Sequence, residues 1–152
     1  MSRTAMASLV RSFFLVTVAV LIAERAQAEG ATAMVVQNDR GGFIGARAVE
    51  IARLNAEDIK VELRGDVCYS SCTMYLGADN LCISPATMFG FHGPSRRGGT
   101  LPAQLFDHWS GVMAQHYHPA LRDWFMRKAR HRTSGYYRIS GEQLIAMGYP
   151  AC

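Results

Sequence analysis

The sequence of 152 residues has no internal repeat, no low-complexity tract and no linker rich in proline or glycine. It also lacks an apolar run of about 20 residues, the length that spans a bilayer. The shorter run at 12–23 follows Arg3 and Arg11 and precedes Ala26-Gln27-Ala28, which is the pattern of a secretory signal peptide. We therefore expect residues 1–28 to be cleaved, leaving no stable membrane span; an uncleaved interfacial anchor is the alternative. The product would be secreted, most simply periplasmic, with residues 29–152 as a single domain.

Neither sign of charge is in large excess. The whole chain carries a net +4, and outside residues 1–28 there are 13 basic and 11 acidic side chains. So small an excess indicates no nucleic acid and no anionic membrane as partner. The basic cluster at 127–132 is typical of a solvated helix end.

The sequence shows no obvious cluster of metal ligands. His108, His116 and His118 do not share one helix face and have no paired acid, so we expect no metal site there. The four cysteines are an even number, which in a secreted chain suggests up to two disulfides in any of three connectivities. Zinc binding or a cysteine nucleophile is a weaker interpretation. The cysteines are Cys68, Cys72, Cys82 and Cys152.

Hydrophobic periodicity predicts alternating strands and helices, hence α/β layers over a small parallel sheet. Helices of the later part carry Trp109 and Trp124, which we interpret as core or subunit contacts. Ser140 and Gln143 match a capping box for the last helix. The predicted strands are 32–36, 59–63, 81–83, 87–91 and 136–139, and the predicted helices are 43–54, 70–76, two between 101 and 130, and 141–147.

Three short segments together have the composition of a serine hydrolase site. Ser70 lies in Cys68-Tyr69-Ser70-Ser71-Cys72, His92 lies in Gly90-Phe91-His92-Gly93-Pro94, and Gly41-Gly42 forms a turn after an apolar strand. Such a site needs a nucleophile, a base and backbone N–H groups that stabilise the oxyanion. The alternatives are that the serines only cap a helix, the histidine is structural, and the glycines make a tight turn.

The order of these segments resembles the Clp protease proteolytic subunit within the crotonase-like superfold, and more closely the small secreted Clp-protease-like proteins with a C-x-S-x-C serine segment. The resemblance covers about residues 31–150 and implies a layered β-β-α core, truncated at its N-terminus. It implies Ser70 as nucleophile, His92 as base, and the N–H groups of Gly41 and Ser71 as the oxyanion hole. No cofactor is implied, since the coenzyme A of crotonase relatives is not expected outside the cytoplasm.

The family's aspartate would fall near Tyr136, where this sequence has no acid. Asp107, Asp123 and Glu142 are then the candidates for a third group that orients His92. Family relatives form rings or trimers, so we expect a homo-oligomer with the helices of 101–130 at or near its interface. The resemblance thus predicts a serine hydrolase acting on a peptide or acyl substrate. The alternative is an inactive fold relative that serves as a binding or assembly protein.

Overall fold

The computed structural model describes residues 33–96, 99–132 and 134–152, so the predicted signal peptide at 1–28 lies outside the described residues. The described chain is a mixed α/β fold with five strands in one sheet and four α-helices. The strands are β1 (Ala33–Asp39), β2 (Lys60–Tyr69), β3 (Leu81–Ile83), β4 (Met88–Phe91) and β5 (Tyr137–Ser140). The α-helices are α1 (Ile44–Ala56), α2 (Ala103–Ala114), α3 (Pro119–Arg127) and α4 (Gly141–Ala146), and 3-10 helices occur at Ser70–Gly77 and Ala129–His131.

Strand β2 is the centre of the sheet. Strand β1 pairs with one side of it in parallel, while β3 and then β4 pair in parallel along the other side. Strand β5 pairs with β4 antiparallel, so the sheet is mixed rather than wholly parallel as predicted. The chain reaches β5 from beyond the end of β4, where the Gly93 N–H donates to the Arg132 carbonyl. It can only run back along β4 from there.

A bulge separates the two halves of β2, where the sequence predicted a turn at residues 64–66. Gly65 has a φ of +81°, and the pairing with β1 shifts register between Gln37 and Asp39. The Asn38 side-chain oxygen accepts from the N–H groups of Asp66 and Val67 at 2.8 and 3.3 Å. These bonds satisfy backbone donors that the bulge removes from the ladder. The strand therefore continues to Tyr69 and delivers Ser70 to its end.

The core forms where α1, α2, α3 and the 3-10 helix Ser70–Gly77 meet the sheet. The predicted apolar face of α1 is confirmed, since Ile51 and Leu54 are buried and Ile44 and Ala48 pack against the core. The largest fully buried side chains come from every layer: Ile51, Leu54, Leu63, Met74, Leu76, Ile83, Phe89, Phe91, Met113, Leu121, Phe125 and Leu144.

The last residues lie beside β3. Cys82 and Cys152 form a disulfide, the Ile83 N–H donates to the Pro150 carbonyl, and the Cys152 N–H donates to the Ile83 carbonyl. The predicted capping box is present, since the Ser140 hydroxyl accepts from the Gln143 N–H and the Gln143 side chain accepts from the Ser140 N–H. Among the described residues, no helix has the length and apolar character needed to cross a membrane.

Candidate active site

Ser70 stands at a sharp turn between β2 and the 3-10 helix that begins with it. Its φ is +58°, in the left-handed region, which costs a residue with a Cβ about 1–2 kcal/mol. Among the described residues, the other non-glycine positions with positive φ are Asn38 and Asp58, types that tolerate this region. Serine has no such preference, so its surroundings must hold it there.

Those surroundings include one disulfide, between the cysteines that flank the serine, and a hydrogen bond to the serine carbonyl. Cys68 and Cys72 are bonded to each other, with 5.3 Å between their Cα atoms, and both are buried. The Thr73 hydroxyl donates to the Ser70 carbonyl at 2.7 Å and lies 2.7 Å from the Tyr117 hydroxyl. The turn is therefore braced by covalent and polar contacts.

The glycine turn that follows β1 lies directly against Ser70. Gly41 has a φ of +99°, and a Cβ placed on it would come within 2.5 Å of the Ser70 Cβ. The hydroxyl of Ser71, which is completely buried, donates to the Gly42 carbonyl at 3.2 Å. Only a residue without a side chain permits this approach, so the predicted juxtaposition of the two segments is present.

The N–H groups around Ser70 are not all free. The Gly41 N–H donates to the Asp39 carboxylate at 2.7 Å, although the resemblance implied it as an oxyanion donor. The Gly42 N–H has no acceptor among the described residues. The Ser71 N–H has no acceptor within the 3-10 helix, because in a helix that starts at Ser70 the first internal donor is the N–H of Thr73. Within the described chain, Gly42 and Ser71 thus carry unpaired N–H groups in the two segments that meet at Ser70.

Arg47 on α1 fixes Asp39 and was not foreseen from the sequence. Its guanidinium lies 2.6 Å from the Asp39 carboxylate and 3.0 Å from that of Glu50. It also donates to the Tyr75 hydroxyl and lies 4.2 Å from the centre of that ring. One cation thereby ties β1, α1 and the 3-10 helix together, since its planar donors serve several acceptors at once. The i, i+8 spacing of Asp39 and Arg47 gives no helical or strand pattern that would have revealed the pair.

His92 directly follows β4 and is half-buried. Burial lowers its pKa below the usual value, and a hydrogen bond with the Gly93 backbone partly opposes this shift. The imidazole is therefore neutral at pH 7, the form that accepts a proton. Ser70 and His92 line the same cleft, but in the described chain no hydrogen bond joins them. Such bonds are often long before substrate binds.

None of the three acids considered as an orienting group bonds to His92 within the described chain. Asp107 pairs with Arg130 at 2.8 Å and is largely exposed, and Asp123 and Glu142 are exposed as well.

An aromatic side chain contacts His92 instead. Tyr136 meets the imidazole edge to face with 5.2 Å between ring centres, and it stacks on Tyr69 at 4.5 Å. Gly90 makes room for both rings, because a Cβ there would lie 2.5 Å from Tyr69 and 3.0 Å from Tyr136. The tyrosine occupies the position at which the resemblance placed an acid, and the spacing of aromatic residues alone could not have assigned it this contact.

The cleft beside Ser70 has a volume of about 780 Å³, large enough for an extended peptide side chain or a similar group. Phe43 at its rim is 90% exposed. The wall of the cleft is mostly apolar, and its apolar part includes Phe43, Ile44, Ala46, Leu101, Trp109 and Met113. An apolar group would lose water on entering the cleft.

The cysteines pair as Cys68–Cys72 and Cys82–Cys152, which selects one of the three connectivities left open by the sequence. Two disulfides are compatible with a secreted protein.

Glu62 lies near Cys82 and Cys152, but cysteines joined in a disulfide offer no thiolate to a metal. His108 meets Trp109 edge to face, and His118 stacks on Tyr149. A scan against protein-family models and a search of curated proteins found no match to the chain.

Proposed function

We propose that this protein is a secreted serine hydrolase that cleaves a peptide or related acyl bond, built on the N-terminally truncated Clp-protease and crotonase-like fold. The observation that carries the proposal is the left-handed Ser70, placed at the end of a central strand and on the same cleft as His92. A serine on a strained strand-to-helix turn is the arrangement by which other hydrolases expose their nucleophile.

In the proposed reaction, the Ser70 hydroxyl oxygen attacks the substrate carbonyl and its proton passes to His92. The oxyanion accepts hydrogen bonds from the N–H groups of Ser71 and Gly42, because the Gly41 N–H already serves Asp39. The carbonyl–leaving group bond then breaks, and the leaving group takes the proton from His92. Water attacks the acyl-serine with His92 as base, which releases the acid and restores Ser70.

The imidazole has to be oriented without an acid in this scheme. Its edge contact with Tyr136 supports that orientation. In other triads the acid also stabilises the imidazolium that forms. Because an aromatic ring stands in place of the acid, we expect slow turnover, with the oxyanion donors and the cleft supplying most of the rate enhancement.

A second function, that of an inactive binding or assembly protein, is favoured by one specific observation. The Asp39 carboxylate occupies the Gly41 N–H, so the turn has one oxyanion donor fewer than expected. In this case the apolar cleft and exposed Phe43 would hold a peptide without cleaving it.

A fluorophosphonate probe distinguishes the two functions. A serine that is activated by a base attacks the phosphorus of the probe and displaces fluoride, whereas an unactivated serine does not react. We expect the oxidised protein to be labelled, and Ser70→Ala and His92→Ala each to abolish labelling while leaving the melting temperature within a few degrees. Ser110→Ala is the matched control, since Ser110 is a buried serine on α2. No labelling of the folded wild type would reject the hydrolase in favour of the binding protein.

A further inference from the structure

We propose that the Cys68–Cys72 disulfide is a positioning element for Ser70, which holds the serine in the left-handed conformation that presents it to the cleft. The catalytic consequence rests on the proposed hydrolase function, whereas the conformational part can be measured without it. The five residues from Cys68 to Cys72 are all described, and all except Ser70 are buried.

The disulfide forces the chain to reverse between its two cysteines. Cys68 belongs to β2 and Cys72 to the 3-10 helix. Their Cα atoms lie 5.3 Å apart, whereas a strand of the same length would separate them by about 13 Å. The reversal must therefore occur at the residues between them.

Of those three residues, Ser70 alone has a positive φ. Tyr69 before it is extended, with φ of −114° and ψ of 155°, and Ser71 is the second residue of the 3-10 helix that Ser70 begins. The left-handed φ of +58° falls on Ser70. Because a serine gains nothing intrinsic from that conformation, opening the disulfide would let it relax to a negative φ.

Two hydrogen bonds also help to hold Ser70, but they constrain it less than the disulfide does. The Thr73 hydroxyl donates to the Ser70 carbonyl, and the Ser71 hydroxyl donates to the Gly42 carbonyl. Each can break and re-form with small displacements, whereas the covalent link limits the distance between Cys68 and Cys72 at all times. We therefore expect Thr73→Val to affect the serine less than loss of the disulfide does.

The consequence for the site is a change in reactivity rather than in binding. The apolar wall of the cleft comes from other segments, among them α1 and α2, so the affinity for an apolar probe should change little. A strain of the size given above corresponds to about a tenfold preference for the relaxed serine. We expect the maximal labelling rate to fall about tenfold or more, with the half-saturating probe concentration within about twofold of wild type.

The test compares Cys68→Ala/Cys72→Ala with the matched control Cys82→Ala/Cys152→Ala, in which the other disulfide is removed. The first readout is the φ of Ser70, from backbone NMR couplings and carbon shifts. The proposal predicts a negative φ and slow labelling in the first variant, and unchanged values in the control. A retained positive φ, or an unchanged maximal labelling rate in a chain that labels, would overturn it.

Two further arms keep the result decisive. If folded wild type is not labelled, the hydrolase function fails, and the φ of Ser70 alone decides the present proposal. If Cys68→Ala/Cys72→Ala does not fold, the same φ is measured in Cys82→Ala/Cys152→Ala before reduction with a phosphine, after it, and after reoxidation. A φ that changes sign on reduction and returns on reoxidation supports the proposal, and a φ that stays positive overturns it.

Discussion

The two disulfides lie in different regions of the molecule, and we expect them to have different effects. Cys68 and Cys72 are four positions apart and enclose Ser70, whereas Cys82 and Cys152 are 70 positions apart and join β3 to the end of the chain. A cross-link stabilises mainly by restricting the unfolded chain, and by more when the loop is long. The long loop should therefore contribute mainly stability, and the short loop mainly local conformation.

The surroundings of the two bonds differ in the same sense. Around Ser70 the backbone is strained, Gly41 has no space for a side chain, and an arginine with several partners holds the turn. Around Cys82 the backbone is paired as an ordinary strand on both sides. Strain concentrated in one region implies that another region supplies the stability that offsets it.

Removal of the long-range disulfide should have the largest effect on stability. In Cys82→Ala/Cys152→Ala we expect the free energy of unfolding to fall by about 4 kcal/mol, against about 2 kcal/mol for Cys68→Ala/Cys72→Ala. Denaturant unfolding of the oxidised variants measures both values. A larger loss from the short loop would reverse the assignment of stability to one region and conformation to the other.

A pH titration sharpens the comparison within the site region. Burial lowers the pKa of His92, so labelling should stay level at neutral pH and fall about tenfold per pH unit only below its pKa. His116→Gln is the control, because burial also lowers the pKa of His116, which packs against Gly77 rather than lining the cleft. A labelling profile that changes in this variant would exclude His92 as the titrating base.

The same histidines make stability depend on pH with a definite sign. An unfolded histidine has a pKa of about 6.5, and the folded values of His92 and His116 are lower. The unfolded chain therefore binds protons first, so stability is complete above about pH 6.5 and decreases as the pH falls below it. His92→Gln should reduce this slope, which melting at several pH values measures.

The smallest expected effect is at the cap of α4, in the region of the long-range disulfide. Ser140→Ala removes the acceptor for the Gln143 N–H and should cost about 1 kcal/mol. The labelling rate should remain that of wild type, since Ser140 does not line the cleft. Altered labelling would show that the two regions are coupled more closely than their separation suggests.

Most strands, the face of α1 and the capping box followed from local pattern, since periodicity and cap chemistry act over few residues. The continuation of β2 through residues 64–66 did not, because it depends on the Asn38 side chain from the neighbouring strand. The antiparallel direction of β5 likewise depends on tertiary structure, because the chain that follows α3 lies beside the end of β4. The expected homo-oligomer stays a prediction.

For the site, the sequence placed Ser70, His92 and the glycine turn in one region, and the structure brings them to one cleft. Sequence reasoning did not identify the role of Arg47 or the contact of Tyr136 with His92, because both contacts join different segments of the chain. The hydrogen bond from the Gly41 N–H to Asp39 was also not predicted, since an acid near a turn does not by itself indicate which N–H it accepts from.

The difference in loop length has a consequence for the order of oxidation. Closing a loop of a few residues costs less chain entropy than closing one of about 70, and Cys72 is also synthesised long before Cys152. The pair at 68 and 72 should therefore be the first to oxidise. Once these two thiols are consumed, Cys82 has a single partner left, and the three pairings open to four cysteines reduce to the native one. The bond beside the serine would then also direct the chain to its correct cross-links.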